Sequence, residues 1–158
     1  PLESQSVPIG FRIARIPLLN RLMEVTLPRG VVESSLRNTY GDPSRVTPAL
    51  VDRYFELTLR EGNRAALAKR FANGRHSSHS ARRGELQVPT LILWGGRDRL
   101  IPLAYGEQFR SDIAGSRLVV FPALGHVPHE EDPTATAAAA RTFMDELERD
   151  DAPATSPE

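Results

Sequence analysis

Val88-Pro89-Thr90-Leu91-Ile92-Leu93-Trp94-Gly95-Gly96-Arg97-Asp98 is the stretch from which the fold can be read. Apolar side chains run unbroken from Leu91 to Trp94, between Pro89 and the Gly95-Gly96 pair. A short continuous apolar run bounded by turn formers marks a strand buried on both faces, as in a parallel sheet covered by helices. An acidic residue, Asp98, follows three positions past Gly95. In open α/β sheets that edge collects ligand-binding and reacting groups.

Downstream, the spacing predicts a helix over residues 102–109 and a second strand over residues 117–121. Asp132-Pro133 then reads as the cap of a last helix, with Ala137, Ala140, Phe143, Met144 and Leu147 as its apolar stripe. A β-α-β-α series calls for parallel strands joined by a right-handed crossover. Between the second strand and the last helix lies Gly125-His126. His126 is one strand-helix-strand step after Asp98, so both side chains are expected at the same sheet edge, on adjacent strands, close enough to bond.

Upstream the pattern is helical. Residues 1–73 carry apolar residues at helical spacing: a short helix over residues 9–19 broken at Pro17, and a second with Val31, Val32 and Leu36 after Pro28. A third opens at Thr47-Pro48 with Leu50, Val51, Tyr54 and Phe55 and stops at Gly62, and a last one holds Ala65, Leu67, Ala68 and Phe71. The polar stretch at residues 72–80 is expected to be a loop. The reading is therefore a helical unit over 1–73, a linker loop over 74–87, an α/β unit over 88–149 and a disordered acidic, Pro-rich tail over 150–158.

At these residues the chain resembles the α/β-hydrolase superfamily. PTLILWGGRDRLIP (89–102) looks like its acid-bearing strand and turn, and FPALGHVPHEEDP (121–133) like its histidine loop. TPALVDRYFELTLREGNRAAL (47–67) is similar, more loosely, to helices of the cap that the superfamily inserts ahead of the acid-bearing strand. The resemblance implies that Asp98 orients His126 and that His126 Nε2 is the general base, first towards a nucleophile and then towards water. The acid precedes the histidine in chain order, as in that superfamily. It also implies a small apolar, ester-like substrate and no cofactor. Trp94, Val127 and Tyr54 are the candidate substrate-binding residues, although packing alone accounts for Trp94 beneath the reactive edge and for Tyr54 and Tyr40 inside the cap.

No G-x-S-x-G occurs in the sequence; Ser116 sits in a turn between helix and strand, with no strand ahead of it to form a nucleophile elbow. The nucleophile and the oxyanion hole are thus expected from a part of the enzyme that precedes these residues. The chain reads as the C-terminal portion of a hydrolase, inactive by itself. The first strand would then lack one neighbour, leaving an open apolar edge that pairs with the missing half or self-associates. The alternative is a catalytically inactive hydrolase remnant that acts as a binding or interaction module.

Composition sets the remaining bounds. Twenty basic residues balance twenty acidic ones in 158 residues, which favours neither nucleic acid nor an anionic membrane as partner. Lys69 is the lone lysine among the basic residues, an arginine habit read as codon composition; Arg82-Arg83 is read as solvated surface. There is no cysteine, so disulfides, thiolate metal sites and a cysteine nucleophile are excluded and a cytoplasmic location is expected. His76 and His79 have no carboxylate near them, and no metal is expected. The acidic run Glu130-Glu131-Asp132 is explained by the positive end of the helix it opens.

Overall fold

The computed structural model describes residues 27–72 and 78–150. The helix expected over residues 9–19, His76 and the tail at 151–158 lie outside the described residues.

Helix α1 (Arg29–Thr39) starts after Pro28, whose ring fixes φ at −60° and whose carbonyl accepts from Val31 N at 2.9 Å. It turns Val32 and Leu36 inward. The chain leaves it through Tyr40 in an extended conformation. Asp42 then accepts from Ser44 N at 2.9 Å and closes a 3₁₀ turn (Pro43–Arg45). Helix α2 (Pro48–Leu59) has the expected start: Thr47 Oγ1 accepts from Leu50 N at 3.2 Å, with Pro48 at the first helical position. Gly62, at φ +81°, separates it from α3 (Asn63–Ala72).

The helical half has its own core of Val32, Leu36, Tyr40, Val46 and Val51, with Leu50, Tyr54, Phe55 and Val127 packed around it. Each of these buried aliphatic side chains contributes roughly 1.5–3 kcal/mol relative to exposure. Val127 comes from the other half of the sequence, so this core already spans both units.

The stretch expected as a linker loop contains a 3₁₀ helix (Ser78–Glu85). What holds it is Arg83, expected as solvated surface but only 19% exposed in its side chain. Its guanidinium pairs with Asp112 at 2.8 Å and lies 4.7 Å over the Phe109 ring.

Strands β1 (Leu91–Gly95) and β2 (Arg117–Phe121) pair in parallel, from Leu91 opposite Arg117 to Gly95 opposite Phe121. Helix α4 (Leu103–Asp112) connects them and runs three residues past the end its apolar spacing suggested. β1 departs from expectation in one respect. Leu91 to Trp94 are half-buried, and Gly95 alone is fully buried. The sheet has two strands among the described residues, so no second neighbour completes the cover.

After β2 come one helical turn, α5 (Pro128–Glu131), and the long α6 (Pro133–Asp150). Asp132 Oδ1 caps α6 by accepting from Ala135 N at 2.9 Å. The inward stripe of α6 is rotated from the expected one: Ala140, Phe143 and Leu147 are half-buried, while Ala137 and Met144 face solvent. Thr136 is the buried residue instead, its hydroxyl donating to Asp132 O at 2.9 Å. Among the described residues, no helix is long and apolar enough to cross a membrane.

Candidate active site

Two turns at one end of the parallel pair form the site. Beyond β1, Gly96 N donates to Phe121 O and Arg97 N to Leu124 O, both at 2.8 Å, which staples the Asp98 turn to the end of β2. Asp98 follows with its side chain 5% exposed. Its Oδ1 accepts from Leu100 N at 2.8 Å and Ile101 N at 2.9 Å. Its Oδ2 lies 2.8 Å from His126 Nδ1. The two oxygens thus have separate tasks: one fixes the carboxylate to its own loop, the other meets the imidazole.

His126 is placed from the opposite side. Its backbone N–H donates to Thr39 O at 2.8 Å, so the end of α1 holds the loop on which it sits. Because Asp98 Oδ2 is an acceptor, Nδ1 is the donor, and Nε2 carries the lone pair when the ring is neutral. The imidazole is 35% exposed, whereas its carboxylate partner is buried.

The electrostatics follow from these bonds. Burial pushes the Asp98 carboxyl upward, but the hydrogen bonds from His126, Ile101 and Leu100 outweigh it and hold Asp98 below its ordinary value. The bond to Asp98 raises His126, against a smaller downward pull from burial. A neutral imidazole facing a fixed carboxylate can accept a proton at Nε2 and be stabilised as imidazolium through Nδ1.

The candidate substrate-binding residues fall on two sides of the histidine. Val127 and Tyr54 lie on the helical side, packed against its core. Tyr54 Oη donates to Glu130 Oε1 at 2.6 Å, and Tyr40 Oη to Glu130 Oε2 at 3.0 Å. Burial, reinforced by Glu130, pushes Tyr54 up to about 12 and raises Tyr40 as well. Both phenols stay protonated and committed to one carboxylate. Trp94 lies on the other side: its ring packs against Gly106 and faces Phe109 at 6.3 Å, and its indole N–H donates to Ile101 O at 3.2 Å.

Sequence reasoning missed how far the acidic run reaches. The helix-dipole reading fits Asp132, which caps α6, but Glu130 and Glu131 point into the helical half. Glu131 is 2% exposed. It accepts from Gly125 N at 2.6 Å and Gly41 N at 2.9 Å. Arg99 reaches the same segment from the Asp98 loop, donating to Tyr40 O at 2.7 Å and Gly41 O at 3.3 Å. A carboxylate run at a helix start carries no local sign that distinguishes these partners from solvent.

The profile of the Alpha/beta hydrolase family matches residues 2–139. A pimeloyl-[acyl-carrier protein] methyl ester esterase of Neisseria meningitidis is 36% identical over 61 residues, 39% of this chain and 24% of that protein. A 2-hydroxy-6-oxononadienedioate/2-hydroxy-6-oxononatrienedioate hydrolase of Klebsiella pneumoniae is 44% identical over 45 residues, 28% of this chain and 16% of that protein. The fold superposes on a meta-cleavage product hydrolase of Pseudomonas fluorescens with a TM-score of 0.69 at 22% identity, covering 77% of this chain and 47% of that structure. The chain thus spans about half of that solved structure and at most about a quarter of these curated relatives.

Proposed function

The chain belongs to the alpha/beta hydrolase family, and on that footing we propose that Asp98 and His126 are the acid and the general base of a hydrolase whose nucleophile lies outside these 158 residues. The observation that carries the reading is the 2.8 Å contact between His126 Nδ1 and Asp98 Oδ2, with the other Asp98 oxygen fixed by two backbone N–H groups. In this scheme Nε2 takes the proton of the nucleophile as it attacks the substrate and returns it to the leaving group. Nε2 then deprotonates the water that attacks the covalent intermediate and passes that proton to the nucleophile as its bond to the product breaks. Asp98 keeps the ring in the required tautomer throughout.

The substrate class we assign is a small apolar molecule with an ester-like or comparably activated bond. The names of the two curated relatives, a methyl ester esterase and an oxo-dienedioate hydrolase, support the ester-like or comparably activated bond. Val127 and Tyr54 form the cap-side contacts in this reading and Trp94 the contact from the α4 side, through its ring. The open edge of β1 is where the part bearing the nucleophile pairs.

The test uses the enzyme completed with that part and a chromogenic ester. Asp98→Asn and His126→Ala are each expected to lower kcat/KM by roughly 10³–10⁴-fold. Retention of more than about half the activity by both variants would remove the assignment. The missing G-x-S-x-G favours one rival, a binding module without catalysis. Covalent labelling of the completed protein by a fluorophosphonate separates the two for a serine nucleophile, since the reaction needs an activated hydroxyl.

A further inference from the structure

The mechanism above leaves one deeply buried acidic side chain without a task. Glu131 is 2% exposed, yet it sits in a helix of a single turn, Pro128–Glu131. A carboxylate withdrawn from water costs several kcal/mol unless its oxygens are hydrogen-bonded. Here both are: Oε1 accepts from Gly125 N at 2.6 Å and Oε2 from Gly41 N at 2.9 Å.

Those two amides are informative. Gly125 immediately precedes His126, and Gly41 lies two residues past Thr39, whose carbonyl accepts the His126 N–H at 2.8 Å. Glu131 therefore ties the backbone on one side of the histidine to the cap segment that holds the histidine itself. No side chain can take over part of the work from within the crossing, because a Cβ on Gly125 would fall 2.4 Å from Gly41 N. The charged and titratable neighbours are Tyr40 and Glu130 on the cap face and Arg99 on the carbonyls of Tyr40 and Gly41.

We infer that Glu131 is a positioning residue for His126: it sets the distance between the histidine loop and the cap, and so keeps Nδ1 in bonding range of Asp98. The inference rests on the reading of Asp98 and His126 as acid and base, but its geometry requires only that the two be bonded. Glu130, one residue earlier, binds the cap phenols and not the histidine loop, which makes it the natural control.

The experiment is hydrogen–deuterium exchange on the full chain at low micromolar concentration. Backbone amides and the imidazole Cε1–H are read by mass spectrometry across pH. In the wild type, the Gly41 and Gly125 amides are expected to be protected and His126 to titrate above an ordinary histidine. Glu131→Gln keeps the shape but offers one acceptor where there were two. It should speed exchange of those amides about tenfold or more, the loss of one hydrogen bond to a charged group, and lower the His126 titration. Glu130→Gln should leave both unchanged. Unprotected glycine amides in the wild type, or a Glu131→Gln chain with His126 titrating as before, would overturn the inference. If Glu131→Gln does not fold, Glu131→Asp, one methylene shorter, takes its place with the same two outcomes. No readout involves turnover, so failure of the hydrolase reading and failure of this one are told apart.

Discussion

Gly125 crosses Gly41 backbone to backbone: a Cβ built on Gly125 would lie 2.4 Å from Gly41 N and 2.3 Å from Thr39 O. Gly95 completes the stack, since a Cβ there would meet Gly125 O at 1.8 Å. Three chain segments, the exit of α1, the end of β1 and the histidine loop, meet where no side chain fits. All the obstructing atoms are backbone, which cannot step aside as a flexible side chain can. Gly125→Ala is therefore expected to cost about 3 kcal/mol, the upper end of overpacking penalties. Gly30→Ala, in α1 with nothing within 4 Å, should gain roughly 0.5–1 kcal/mol from helix propensity. Urea midpoints at one fixed chain concentration check both, and equal midpoints for the two variants would contradict the packing described.

The Asp98–His126 bond gives stability a defined pH dependence. His126 is raised from 6.5, so its share is complete below that value and is lost as pH climbs through the raised folded value. Asp98 is lowered from 3.8, so its share is complete above that value and is lost as pH falls through the depressed one. The stability advantage of the wild type over Asp98→Asn is thus greatest between pH 3.8 and 6.5 and shrinks on either side. Unfolding curves of both proteins from about pH 3 to about pH 9 measure it, and a constant difference would mean the bond is absent in solution.

Tyr54 reports the contact between α2 and α5. A spectrophotometric titration should find it ionising near 12, with Glu130→Gln lowering that value only in part, because burial is the larger cause. A double-mutant cycle of Tyr54→Phe and Glu130→Gln should give a coupling of about 0.5–1.5 kcal/mol. Zero coupling would place the phenol elsewhere.

Arg83 anchors the 3₁₀ helix Ser78–Glu85 to α4 through Asp112 and the Phe109 face. Arg83→Ala should cost about 1 kcal/mol and expose the segment to trypsin at Arg82. Unchanged cleavage kinetics would show that the segment is held by something else.

Legibility in the sequence followed the range of the interaction. β1, β2, the start of α2 at Thr47-Pro48 and the break at Gly62 were all readable, because an unbroken apolar run, a capping hydroxyl and a residue at φ +81° act within a few positions. The meeting of Asp98 and His126 was readable for a related reason: parallel strands joined by one helix bring the residues after them to a common edge. The stripe of α6, the stacking of Arg83 and the targets of Glu130 and Glu131 were not. Each depends on which distant segment happens to lie opposite.

By itself, then, the sequence determined the alternation of helix and strand, the shared edge, and the identity of the two residues that meet there. Only the tertiary structure decided what keeps them together. Gly41 and Gly125 are 84 positions apart, and Tyr40 and Glu130 are 90. Local propensity and periodicity carry no information over such separations. Those contacts exist because the core of the helical half, Val127 included, packs the exit of α1 against the histidine loop. There the buried carboxylate of Glu131 finds the backbone amides that offset its loss of water.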